Sequence, residues 1–226
     1  MKWFFGLTLA ATAAFSMSAI AAPQHQRVRG TVAAVNSTTL TVLTRNGKDV
    51  PVTLTSNTKY LNVEKSSLDD VAKGSFIGTA TKTVGSQQVA LEVVVFPPSM
   101  NGTGEGHYGW DRISDTTKAG GGMTESAMTN GTVAAAGNAP TVNSTMTNGT
   151  VSTASSHGGG KQIIVTYKGG KQAILVPPTA PIVTFSPGSM SEVTKGATVF
   201  VSGTEQGGHV TAGAVAVGTD DVKPPM

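Results

Sequence analysis

SLDDVAKG at residues 67–74 and SMSEVTKG at residues 189–196 decide the fold. In each, a serine is followed three residues later by a carboxylate, Asp70 or Glu192. That is a capping box, in which hydroxyl and carboxylate satisfy the free amides at a helix start. The Lys-Gly pairs at 73–74 and 195–196 are helix stops, so one or two helical turns fit between the signals. Ser67, Asp70, Val71, Lys73 and Gly74 fall on Ser189, Glu192, Val193, Lys195 and Gly196 at a constant offset of 122, and Leu68 is matched by Met190. Two matched capping boxes mean a duplicated unit.

Outward from the first box the chain is β-patterned. RVRGTVAAV (27–35), TTLTVLT (38–44) and KDVPVTLT (48–55) precede it, and GSFIGTATKT (74–83) and QQVALEVVVF (87–96) follow. Asn46-Gly47 between alternating runs is a strong hairpin signal, because a type I′ turn requires positive φ at both central positions. Pro51 cannot donate a ladder bond, which points to an edge or bulge. Around the second box stand KQIIVTY (161–167), KQAILVP (171–177), PIVTF (181–185), ATVFVSGT (197–204) and HVTAGAVAV (209–217). Five or six short strands and one helical turn per copy predict a small closed sheet, with an OB-like barrel the first choice. Two copies are too few for a solenoid.

Between the copies, residues 97–148 are rich in Gly, Thr, Asn, Ser and Ala and lack the large apolar residues of a core. MTNGTV occurs there at 128–133 and again at 146–151. At the head of this stretch is FPPSMNGTGEGHYGWD (96–111), in which Glu105, His107, Tyr108, Trp110 and Asp111 crowd into one glycine-rich segment. Exposing Tyr108 and Trp110 among glycines is costly, so 104–111 is expected to pack against the barrels as a latch or binding loop. Glu105, His107 and Asp111 are also candidate ligands for a divalent ion, with His157 or His209 as a distant fourth, although their spacing fits no metal motif. Gly104, Gly106 and Gly109 spell G-x-G-x-x-G without the flanking strand and helix that a dinucleotide site needs.

The first residues, MKWFFGLTLAATAAFSMSAIAAP, have the charged, apolar and small-residue order of a secretory signal peptide, with cleavage expected after Ala21. No cysteine is present, which excludes disulfides and thiolate metal sites. The formal net charge is +3, or +2 once Lys2 leaves with the leader, and the charges form no run. Nothing there is a nucleic-acid footprint. No serine stands in a G-x-S-x-G elbow, and the paired carboxylates Asp69-Asp70 and Asp220-Asp221 are explained by a helix first turn and a solvated tail.

GTVAAV (30–35), FPPSMNGTGEGHYGWD (96–111), the two MTNGTV segments and the closing PPM (224–226) carry a resemblance to an uncharacterised family of exported bacterial proteins with an OB-like domain of unknown function. Similar sequences often bear the label metal ABC transporter permease. A permease needs several spanning helices, whereas the single apolar segment here reads as a leader. The resemblance implies a fold and a location and no activity.

The expectation is therefore an all-β chain. A signal peptide (1–21) precedes two OB-like barrel domains (22–96 and 149–226), joined by a Gly/Thr/Asn-rich connector (97–148). Its expected role is a non-catalytic binding or scaffold protein of the cell envelope, periplasmic or secreted. It would meet an unknown envelope protein or small ligand, without nucleic acid, cofactor or a span in the mature chain. The alternative is a periplasmic divalent-metal-binding protein using Glu105, His107 and Asp111.

Overall fold

The computed structural model describes residues 22–118, 120–138, 160–219 and 222–224. The expected leader (1–21), the second MTNGTV and His157 lie outside the described residues. The protein is all-β. In the first half the strands are β1 (Gln24–Val35), β2 (Thr39–Thr44), β3 (Asp49–Thr53), β4 (Lys59–Lys65), β5 (Phe76–Val84) and β6 (Gln87–Val95). Three short strands follow, β7 (Gly106–Gly109), β8 (Ile113–Ser114) and β9 (Met123–Thr124). The rest are β10 (Ala127–Asn138), β11 (Lys161–Tyr167), β12 (Gly170–Val176), β13 (Ile182–Pro187), β14 (Thr198–Gln206) and β15 (His209–Gly218). No described helix is long and apolar enough to cross a membrane.

Both capping boxes form. The Ser67 amide donates to Asp70 Oδ2 at 3.0 Å, and the Ser189 amide donates to Glu192 Oε2 at 2.5 Å. Each box starts a single 3-10 turn, Leu68–Asp70 and Met190–Glu192. Each turn is followed by a glycine at positive φ, Gly74 at +96° and Gly196 at +91°, where a side chain would be strained.

The strands make one 13-stranded sheet in the order β12-β11-β10-β5-β6-β13-β4-β15-β14-β1-β2-β3, with β7 alongside β10. Two further pairings bend this path back on itself. β12 meets β6 in parallel at Ile174 with Gln88, and β15 meets β3 in parallel at Val210 with Val52. One circuit of pairings therefore runs through β10, β11, β12, β6 and β5, the other through β1, β2, β3, β15 and β14. Each has its own aliphatic core: Val32, Leu40, Val42, Val52, Val201 and Val215 in one, Ile77, Val93, Val133, Ile163, Val165 and Ile174 in the other.

Each circuit takes strands from both halves of the chain. This corrects the expectation of separate domains at 22–96 and 149–226: β1 pairs with β14 of the second half, and β10 with β5 of the first half. The cause lies in β4 and β13. They pair antiparallel with Val63 opposite Phe185, residues that are equivalent at the offset of 122. The two halves of the chain thus lie side by side along this pairing. An extended seven-residue strand such as β4 carries the chain roughly 20 Å. That delivers β5 and β6 to the neighbouring circuit.

The connector expectation also needs correction, because β10 lies inside 97–148 and is a central strand. Met128, Thr129, Asn130 and Val133 are buried between β5, β7 and β11. Small residues are required there: a Cβ on Gly131 would stand 2.2 Å from the Thr166 carbonyl oxygen. GTVAA at 131–135 repeats GTVAA at 30–34, and both strands carry a register shift at the same place, after Val32 and after Val133. β10 thus matches β1 in sequence and in the place of its register shift, and it belongs to the sheet rather than to a connector.

Candidate binding pocket at the central motif

Phe96 closes β6, and Pro98 opens a 3-10 turn (Pro98–Met100) that tucks Met100 against the interfacial cluster of Phe76, Phe96 and Phe185. The chain then returns as β7, antiparallel to β10, with Tyr108 opposite Met128 and His107 opposite Thr129. The Trp110 amide extends the contact by donating to the Ser126 carbonyl at 2.9 Å. The motif expected to be a loop is therefore partly a strand.

Strand alternation divides the five expected site residues. His107 faces away from Tyr108: its Nδ1 is 2.9 Å from Thr129 Oγ1, and its ring stacks on Tyr167 at 6.1 Å. Glu105 Oε1 accepts the Lys168 amide at 3.0 Å. Tyr108 and Trp110 lie together, ring centroids 5.9 Å apart, and Trp110 packs half-buried on Ala80, Leu91, Ile113 and Met128. Asp111 accepts two hydrogen bonds from Arg27, from Nε and Nη2 at 3.1 Å each, and one from Arg29 Nη1 at 2.5 Å. Burial by itself would push the Asp111 carboxyl up, but the hydrogen bonds and charges of Arg27 and Arg29 hold it below the ordinary carboxylate range. Glu105, His107 and Asp111 thus serve three different partners, and no group of three or more acidic, His or Cys side chains placed to hold a metal occurs among the described residues. His209 begins β15, exposed, and His25 Nε2 lies 3.3 Å from Ser202 Oγ.

Tyr108 and Trp110 line a pocket of about 400 Å³ at the junction of the two circuits. Phe96, Phe185 and Phe200 complete its aromatic wall, and Ala214 and Ala216 leave room at its base. At the rim the Arg27 guanidinium lies 4.0 Å over the Trp110 ring, and the Arg29 guanidinium lies 5.0 Å over Phe200. Such cation–π contacts contribute about 1 kcal/mol each. The Asn130 Nδ2 group donates to the Gly104 carbonyl at 2.9 Å and to Tyr108 Oη at 3.1 Å, which fixes the Tyr108 ring. Trp110 Nε1 and Asn130 Oδ1 are buried without a hydrogen-bond partner.

Of the five expected residues, Tyr108 and Trp110 line the pocket and Asp111 holds the arginines at its rim; Arg27, Arg29 and Asn130 were not singled out from sequence. Arg27 and Arg29 flank buried Val28 on β1, a period-two signal for one strand face. Phe96 and Phe185 are buried, and Phe200 is partly buried against them. They also form the pocket wall. No protein-family model, curated protein or solved structure matches the chain.

Proposed function

We propose that the chain is an exported, non-catalytic binding protein of the bacterial cell envelope. In this reading the two circuits are OB-like barrels that have exchanged their last two strands. The first strand pairs antiparallel with the fourth, and the third meets the fifth in parallel, as a closed five-stranded Greek-key barrel requires. The ligand is small and largely apolar or aromatic, bound between Trp110 and Phe200. One observation carries this: a concave pocket walled by five aromatic side chains, Phe96, Tyr108, Trp110, Phe185 and Phe200. Arg27 is already neutralised by Asp111, so it serves as a stacking lid rather than as a free charge.

The test uses the neutral probe 1-N-phenylnaphthylamine on the mature protein. Trp3 leaves with the leader, so Trp110 is then the only tryptophan. Saturable probe fluorescence with matching quenching of Trp110 is expected. Ala214→Leu fills the base of the pocket and should weaken binding at least tenfold with the melting temperature preserved. Absence of saturable binding, or binding indifferent to Ala214→Leu, would reject the proposal.

A further inference from the structure

A second and larger cleft, of about 950 Å³, opens further along β1, where Arg29, Gly30 and Thr31 line it in place of His25 and Arg27. Its chemistry is the opposite of the aromatic pocket. No aromatic ring lines it. Instead, among the described residues, Arg29, Arg45, Lys65 and Lys223 line it with one carboxylate, Glu92.

Three of the four cations are not engaged by acids. Lys65 and Lys223 have neither ion-pair nor hydrogen-bond partners among the described residues, and Arg45 reaches only the Met123 thioether at 3.6 Å. Arg29 gives one nitrogen to Asp111, while its Nε and Nη2 are buried without partners. Arg45, Lys65 and Lys223 are exposed, whereas the less exposed Lys82 and Arg27 pair with Asp115 and Asp111. Four like charges drawn from β1, the end of β2, the end of β4 and the C-terminal segment repel one another unless an anion lies between them.

We propose that this cleft binds a non-aromatic polyanion, a molecule bearing two or more oxyanion groups. Arginine and lysine are the side chains suited to oxyanions, through forked and point-charge donors respectively. Thr31 and Thr198 add hydroxyls at the wall. The lack of a stacking surface selects against nucleobases and sugar rings. The volume is at the upper end for small-ligand sites and admits an elongated chain.

Isothermal titration calorimetry on the mature full-length chain tests this, with tripolyphosphate and citrate as separate probes. Saturable one-to-one binding of either probe supports the site, and the one preferred tells phosphate from carboxylate recognition. The double variant Arg45→Ala, Lys65→Ala should weaken binding at least tenfold. Lys168→Ala with Lys171→Ala, on the β11–β12 turn away from the cleft, should change it less than twofold. Ala214→Leu should leave it intact. No saturable heat with either probe, or equal losses in the two double variants, would overturn the proposal, the latter by showing that net charge alone attracts the anion.

Discussion

Lys82 and Asp115 form the most enclosed ion pair among the described residues, with side chains 12% and 10% exposed and Nζ 2.7 Å from Oδ2. Thr117 completes it: its amide and hydroxyl both donate to Asp115 Oδ1, and Lys82 Nζ also donates to Thr117 Oγ1. Burial alone would raise the Asp115 carboxyl, but these hydrogen bonds hold it below the ordinary carboxylate value. A carboxyl depressed in the folded state stabilises at pH above its unfolded value of about 3.9, and that contribution is lost as pH falls through the lower folded value. Asp115→Asn should therefore cost about 3 kcal/mol at pH 7, where Lys82 would be left uncompensated. The gap from the parent should shrink in denaturant melts below pH 3, and a gap independent of pH would contradict the ion-pair account. At this scale the sequence was partly legible. Trp110 could be read because exposing it is costly whatever the fold, whereas Tyr108 remains 38% exposed. Arg27 and Arg29 could not, because only the position of β1 beside the motif turns two scattered charges into a clamp on Asp111.

At the scale of elements, the single 3-10 turns were legible because a capping box is a local device whose donors and acceptor lie within four residues. Strand β10 was not. Counting large apolar residues marks 127–138 as linker, whereas a strand hemmed in on both sides is buried by its neighbours and favours small residues. Gly131 and its counterpart Gly30 make this testable. A Cβ on either would stand about 2 Å from a backbone carbonyl oxygen, 2.2 Å from that of Thr166 and 2.1 Å from that of Leu43. Backbone cannot step aside as a side-chain tip can. Gly131→Ala and Gly30→Ala should each cost about 2 kcal/mol. Gly137→Ala, on the same strand with nothing within 4 Å of its Cβ, should be close to neutral. Equal costs at Gly131 and Gly137 in urea titrations would show that the crowding at Gly131 is not what matters.

For the whole molecule, the β-pattern of both halves could be read from sequence, but the pairing of strands between the halves could not. The two halves offer β5–β6 and β14–β15 hairpins of the same register, Ile77 opposite Val95 and Val199 opposite Val217. Either hairpin satisfies the pattern that β1 to β3 demand, so local pattern cannot say which half supplies it. The exchange has a thermodynamic consequence. Opening the circuit of β1, β2, β3, β15 and β14 frees β14 and β15, and β15 also holds β4, which pairs with β13 beside β6. Neither core can be lost while the other keeps all its strand partners. The mature chain should therefore melt in a single calorimetric transition whose van't Hoff and calorimetric enthalpies agree, despite containing two separate aliphatic cores. Residues 22–118 alone hold β1 to β6 without β14 and β15. That fragment should either fail to fold or form a homodimer in which each copy supplies the other's missing hairpin, as Val63 and Phe185 already allow within one chain. Sedimentation of the fragment separates these outcomes from a stable folded monomer. A folded monomer, or two well-resolved transitions in the full chain, would mean that each half closes its own barrel and that the exchange of strands is not what holds the protein together.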